Sequence, residues 1–229
     1  MLKLIRLEWK KNNIIRYVRN VLIMDIILFL MILASAGELE AIDTEILYGK
    51  SMLKAGVEMF TNMSFVVFTS TMLASFIVGA YKNKIMNLMF SYPISRKKIL
   101  LSQMLSVWIF NFTALVLTKM LFYYGLAAAK GYAHILAAGI GLNSSMFYAE
   151  IFVDSSVTVS VSFIALLAGL KMKSSKAAII AGVILVCLTQ GNIGQYTLTG
   201  NIPFLMTLII LSAVSVFLVL YKLETRDVL

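Results

Sequence analysis

Reactive side chains are scarce in this chain of 229 residues, which has one cysteine, one histidine, two prolines and only 14% Asp, Glu, Lys and Arg. The lone Cys187 lies in an apolar run, so neither a disulfide framework nor a thiolate metal cluster can be built. The lone His134 cannot supply the H-E-x-x-H pair of a zinc protease. Beside Tyr132, it reads as an interfacial side chain and not as the base of a serine protease triad. The tripeptide Gly49-Lys50-Ser51 has Thr44 where the first glycine of a phosphate-binding G-x-x-x-x-G-K-[ST] loop should stand. The chain is therefore expected to be no enzyme and to hold neither cofactor nor metal of its own.

What is present is apolar. The composition is 60% hydrophobic with a mean hydropathy of +0.90, well outside the range of ordinary soluble domains. The fold class this implies is all-α: a single polytopic membrane domain over 1–229, residing in the cell membrane. Lys3, Arg6, Lys10, Lys11, Arg16 and Arg19 delay the first apolar run to about residue 20, so the start reads as retained and not as a cleavable signal. The net charge of +9 does not point to nucleic acid, because the basic residues flank apolar runs and form no soluble basic domain.

A helix needs roughly 20 mostly apolar residues to cross the hydrocarbon core. Asn20 to Ala36, Met59 to Tyr81, Ile99 to Tyr124 and Ile202 to Tyr221 meet that length well. Met146 to Leu170 is interrupted by Glu150, Asp154 and the hydroxyl-rich stretch Ser155 to Ser162, and Ala177 to Thr189 is clean but short. Counting all six as transmembrane helices makes the connecting segments alternate sides. Sixteen of the 20 Lys and Arg residues then fall on one side: the six at the N-terminus, then Lys82, Lys84, Arg96, Lys97 and Lys98, then Lys171, Lys173 and Lys176, and finally Lys222 and Arg226. Lys50, Lys54, Lys119 and Lys130 lie outside or at the outer ends of spans, and the first outer loop carries Glu38, Glu40, Asp43, Glu45 and Glu58. The positive-inside rule thus places both termini in the cytoplasm.

Two cytoplasmic segments have more pattern than flanking charge requires. In the amphipathic segment 1–17, Leu2, Ile5 and Trp9 form one helical stripe and Lys3, Arg6 and Lys10 the adjacent one, as suits an elbow helix lying among headgroups; basic flanking of the first span is the plainer account. In segment 82–98, Pro93 and Ser95 can start a helix, with Ser95 as N-cap, and Arg96, Lys97 and Lys98 follow at once. Flanking charge accounts for the basic residues but not for Tyr92-Pro93-Ile94-Ser95.

This order of basic elbow, span, acidic outer loop, span, and Y-P-I-S-R-K-K-I-L-L-S turn into the third span resembles the small, six-span membrane subunit of type-2 ABC exporters. Bacitracin-resistance and lantibiotic-immunity permeases are similar to it. The resemblance covers nearly the whole chain. It implies a permease that translocates a hydrophobic or amphipathic substrate, such as an antimicrobial peptide, a lipid-like molecule or a drug-like one. It also implies pairing with an identical or similar permease and with two copies of a cytoplasmic ATPase, which would bind the ATP and magnesium. In that family the loop between spans two and three is a coupling helix that fits the ATPase, a role falling here on Tyr92, Pro93, Ile94, Ser95, Arg96, Lys97 and Lys98. The elbow would correspond to Lys3 through Asn13, anchored by Trp9. The alternative is a non-transporting immunity or sensor protein that binds a peptide or partner within the membrane.

Polar residues within the apolar runs complete the reading. The 13 clean residues before Gln190-Gly191-Asn192 make only about 20 Å of helix, so either irregular backbone occupies the outer leaflet there or a tilted, somewhat polar helix continues. Asp25 lies near the inner end of span one, placed to snorkel, to pair with a basic residue near the elbow, or to relay protons. Lys119, Glu150 and Asp154 reach similar depths, and the two carboxylates, four apart, share a face, so Lys119 is expected to pair with one of them. Ala165-x-x-x-Gly169 and Ala178-x-x-x-Gly182 allow close helix packing.

Overall fold

The computed structural model describes residues 2–42, 52–82, 96–128, 145–190, 192–193, 196–197 and 202–225. In chain order they form α1 (Leu2–Lys11), α2 (Ile14–Ile42), α3 (Met52–Leu73), a π-helical turn (Ala74–Val78), α4 (Gly79–Lys82), α5 (Arg96–Ala128), α6 (Ser145–Val161), α7 (Phe163–Lys171), α8 (Ser175–Gln190), the two-residue strands β1 (Asn192–Ile193) and β2 (Tyr196–Thr197), and α9 (Ile202–Thr225). The described residues are helical apart from that one short ladder and the turns between helices.

Among the described residues four stretches are long and apolar enough to cross a membrane: Ile14–Ser35, Lys54–Val78, Lys97–Ala128 and Ser145–Lys171, with mean hydropathies of 2.1, 1.5, 1.8 and 2.0. Ser175–Gln190 and Met206–Tyr221 are shorter apolar helices. The interrupted Met146–Leu170 run belongs to the long group, because a helix tolerates ionic residues that find partners. The last helix, Ile202–Thr225, is 24 residues long and has Met206–Tyr221 as an apolar stretch within it. The chain is membrane-embedded, with large apolar side chains such as Ile26, Ile27, Met146, Ile180, Ile210 and Phe217 exposed on its helices.

The breaks between helices have local causes. Asn13 adopts a left-handed φ of 50° and separates α1 from α2, a conformation asparagine accepts more readily than most residues. Lys173, with φ of 49°, ends α7: the amide of Ser174 donates to the Gly169 carbonyl and that of Lys173 to Leu170, closing the turn into α8. Ser162 sits between α6 and α7, where its carbonyl accepts from Ala165 in place of a full helical bond. This is the end of the hydroxyl-rich stretch that the sequence marked as an interruption. Beyond Gln190, Asn192 pairs with Thr197 and Ile193 with Tyr196 in an antiparallel ladder. These four residues do not continue the helix α8.

The chain divides into two compact units. The first comprises Met1–Ile14, Phe65–Asn111 and Val157–Leu229. In it α7 packs on α8 and α9 around Val161, Ala165, Leu185 and Leu208, with Val66. Small residues make that approach possible. A Cβ on Gly169 would lie 2.5 Å from the Cβ of Ala178, and one on Gly182 would lie 2.5 Å from the Cβ of Ser70. Trp108 Nε1 donates to Ser160 Oγ at 3.2 Å and Ser212 Oγ to the Ser160 carbonyl at 2.5 Å, satisfying polar groups that lipid cannot. The second unit comprises Ile15–Ser64 and Phe112–Ser156. Its core is Leu28, Ile32, Val57, Val116, Phe122, Leu126, Phe147 and Ile151, with Tyr123 stacked edge-on to Phe147 at 5.0 Å.

Gly169→Ala and Gly182→Ala should each destabilise the protein by roughly 1–3 kcal/mol through overpacking. At Gly79 an added Cβ meets nothing closer than the Ala74 carbonyl at 3.5 Å, so Gly79→Ala should leave stability unchanged or raise it slightly. Thermal unfolding in mild detergent gives the order of the three variants.

Candidate functional site

Ionic side chains gather in the second unit, where hydrocarbon would otherwise be expected. The helix α3 begins at Met52, so Lys54 and Glu58, expected at the outer end of a span and in the outer loop, stand in its first two turns with Asn62 one turn further on. Lys54 is buried. Its ammonium donates to Glu150 Oε2 at 2.6 Å, lies 3.8 Å from Glu58 Oε1 and sits 5.6 Å above the Phe147 ring. One turn deeper, Lys119, only 1% exposed, forms an ion pair with Asp154 Oδ2, which also accepts from Asn62 Nδ2 at 3.0 Å.

Each carboxylate of the Glu150/Asp154 pair thus meets a different lysine, one from α3 and one from α5. The i, i+4 spacing on α6 presents both to the same side. The lysines are buried while the carboxylate side chains of Glu150 and Asp154 are 43% and 38% exposed. This arrangement can cross-link three helices and hold charge at depth. Among the described residues no group of His, Cys, Asp and Glu is arranged to hold a metal ion.

Asp25 stands apart from this cluster. Its Oδ2 accepts from Thr118 Oγ1 at 3.0 Å, so its described partner is a hydroxyl on α5 and not a basic residue near the elbow. Its other oxygen, Oδ1, is buried and has no hydrogen-bond partner among the described residues, so the hydroxyl satisfies only half of the carboxylate.

A second polar constellation lies in the first unit, at α1. Ile5 and Glu8 face inward, and Lys3, Arg6 and Lys10 face outward. Trp9 Nε1 donates to the Ser106 carbonyl at 3.1 Å, joining α1 to α5 across 97 residues of sequence. Glu8, 6% exposed, accepts from Gln103 Nε2 at 3.4 Å and Asn12 Nδ2 at 3.3 Å. Sequence reasoning took Trp9 as a headgroup anchor and passed over Glu8. The signal was available: Ile5, Glu8 and Asn12 are spaced by three and four, the period of a single helix face.

Of the segment expected to engage an ATPase, Tyr92, Pro93, Ile94 and Ser95 lie outside the described residues. Arg96 is the first residue of α5, and Lys97 and Lys98 are exposed on its opening turn. From Arg96 the helix continues unbroken for 33 residues, so within the described residues it has no separate short coupling helix.

Among known proteins the chain has a distant relative. The chain is similar to Uncharacterized protein YcbO of Bacillus subtilis (strain 168). The identity is 23% over 209 residues, spanning 87% of this chain and 88% of that protein, so the likeness takes in the helices of both units. No family model matches the chain, and no solved structure matches it.

Removing one member of a buried ion pair leaves the other charge stranded, at a cost of roughly 3–5 kcal/mol when both are fully buried. Lys119→Asp also sets a second carboxylate beside Asp154 at a buried position, so it should cost at least about 3 kcal/mol. The exchanged pair Lys119→Asp/Asp154→Lys should recover most of it. Thermal unfolding of the single and double variants measures this, and a double variant no more stable than the single ones would mean that the two residues do not act as a pair.

Proposed function

We propose that this chain is the membrane-spanning permease subunit of an ATP-driven exporter whose ATPase is a separate polypeptide. The observation that carries this reading is the attachment of α1 to α5. A basic ten-residue helix, set off from the first span by the break at Asn13, is bonded through Trp9 and Glu8 to the opening turns of the helix that follows segment 82–98. Movement of that segment is thereby passed to both the elbow and the third span. The exposed Lys97 and Lys98 offer an acidic partner a compact basic surface.

In this reading all six apolar helices cross the bilayer, including Ser175–Gln190 and Met206–Tyr221, and both termini are cytoplasmic. The two-residue ladder after Gln190 then supplies the irregular outer connection that a 16-residue helix needs, shielded by protein or water. The functional unit is two permeases, identical or similar, with two ATPase subunits that bind ATP and magnesium. Closure of the ATPase dimer moves the segment around Arg96, and the spans switch between two states that open a path for a hydrophobic or amphipathic cargo. The cargo class is an antimicrobial peptide or a lipid-like or drug-like molecule.

Purification from native membranes in mild detergent, followed by mass spectrometry of what co-purifies, tests the assignment. An ATPase should accompany the wild type and be lost from Arg96→Glu/Lys97→Glu. Absence of an ATPase from both samples would overturn the exporter reading and favour a non-transporting immunity or sensor protein.

A further inference from the structure

The first unit contains a cavity of 440 Å³ whose lining includes Lys11 and Asn12 at the end of α1, Thr71 and Gly79 on either side of the π-helical turn, and Ser175 and Ile179 at the start of α8. The π-helical turn helps to make this space. The amide of Gly79 reaches back five residues to the Ala74 carbonyl, which Ser175 Oγ also approaches at 3.5 Å, and Gly79 leaves empty the volume a side chain would take.

The chemistry of the lining is one-sided. It has polar groups at Asn12, Thr71 and Ser175, a positive charge at Lys11, and no acidic residue. Lys11 forms an ion pair with Glu8 at 3.7 Å, and Glu8 also accepts from Gln103 and Asn12, so α1 holds this positive charge beside the cavity, where an anionic group can meet it.

Beyond Ile179 the character changes. Ile180, Val183 and Ile184 are 60%, 46% and 53% exposed along one face of α8, an uncovered apolar track that begins beside the cavity. A positively charged polar pocket continuous with an apolar helix face is complementary to an amphipathic anion. A free phosphate or a nucleotide would use the pocket and leave the track uncovered.

We propose that this cavity binds the headgroup of an anionic phospholipid whose acyl chains lie along Ile180, Val183 and Ile184. The inference rests on the orientation given under the proposed function, which puts these basic helix ends at the cytoplasmic surface where anionic lipid is recognised by such pockets. The bound lipid would tie the end of α1 to α8, sealing the elbow against the unit it packs on.

The test is native mass spectrometry of the full chain released from nanodiscs of phosphatidylcholine and phosphatidylglycerol. The wild type should retain phosphatidylglycerol in preference to phosphatidylcholine. Lys11→Glu and the cavity-filling Gly79→Leu should each lower that retention by at least about fivefold, whereas Lys173→Glu, a basic residue outside the lining, should leave it nearly unchanged. Gly79→Ala, whose added methyl fits, should retain the lipid and shows that position 79 tolerates a side chain. Equal retention by Lys11→Glu, Gly79→Leu and wild type would overturn the proposal. So would a loss as large in Lys173→Glu, which indicates bulk attraction, or displacement by excess inorganic phosphate, which indicates a free-anion site. Measuring ATPase co-purification on the same wild-type sample separates the two readings: an ATPase present without lipid preference sinks only the lipid site, and lipid preference without an ATPase sinks only the exporter.

Discussion

The constraint on which this structure depends is that hydrocarbon offers a polar group no partner, so every charge and every open backbone group at depth must be satisfied by protein. Lys119 shows the consequence. With 1% of its surface exposed it would be untenable alone, and its pairing with Asp154, itself bonded to Asn62, requires α3, α5 and α6 to keep one register. A buried ion pair adds little net stability compared with a packed apolar pair, but it penalises every arrangement that separates its partners. Lys54 with Glu150 repeats the device one turn away on the same helix. The same logic operates at α1, where Glu8 and Trp9 find their partners on α5.

Helix existence was readable from the sequence because length and hydropathy set it directly, and each of the six apolar runs corresponds to helix in the structure. Helix starts were less readable. Lys54 and Glu58 read as loop or span-end charges because hydropathy counts a charge against a span whether or not it has a partner, yet the helix begins ahead of them at Met52. The small-residue spacings were legible as close packing, and Gly169 against Ala178 shows why nothing larger fits. The π-helical turn at Ala74–Val78 was not legible at all: Ala-Ser-Phe-Ile-Val has no residue type that distinguishes a π turn from α-helix, and only the surrounding packing selects it.

At the candidate site, residue types and depths were legible but partners were not. Lys119, Glu150 and Asp154 could be set at one level by counting helical rise, whereas Lys54 became a partner for Glu150 only once α3 was known to start early. Asp25 was readable as a charge in need of company, but a threonine one helix away has no signature among the many hydroxyls of this chain. Helix α1 showed its outward face in Lys3, Arg6 and Lys10, while Glu8 on the inward face looked like one more surface charge. A pattern of residue types identifies which side chains are unusual, and tertiary contacts decide what each of them touches.

The central claim, proposed above, is that this is a membrane protein with six crossings and its basic helix ends on the inner side; the proposed roles of α1 as an elbow and of segment 82–98 as a coupling segment rest on it. Labelling of single cysteines by a membrane-impermeant maleimide in intact cells, in a Cys187→Ser background, tests it most directly. Ser51→Cys, Ser144→Cys and Thr199→Cys should be labelled from outside, while Lys97→Cys and Lys173→Cys should react only after lysis. A Thr199→Cys protected until lysis would mean that the last two helices do not cross, and labelling of Lys97→Cys in intact cells would invert the orientation and contradict the account.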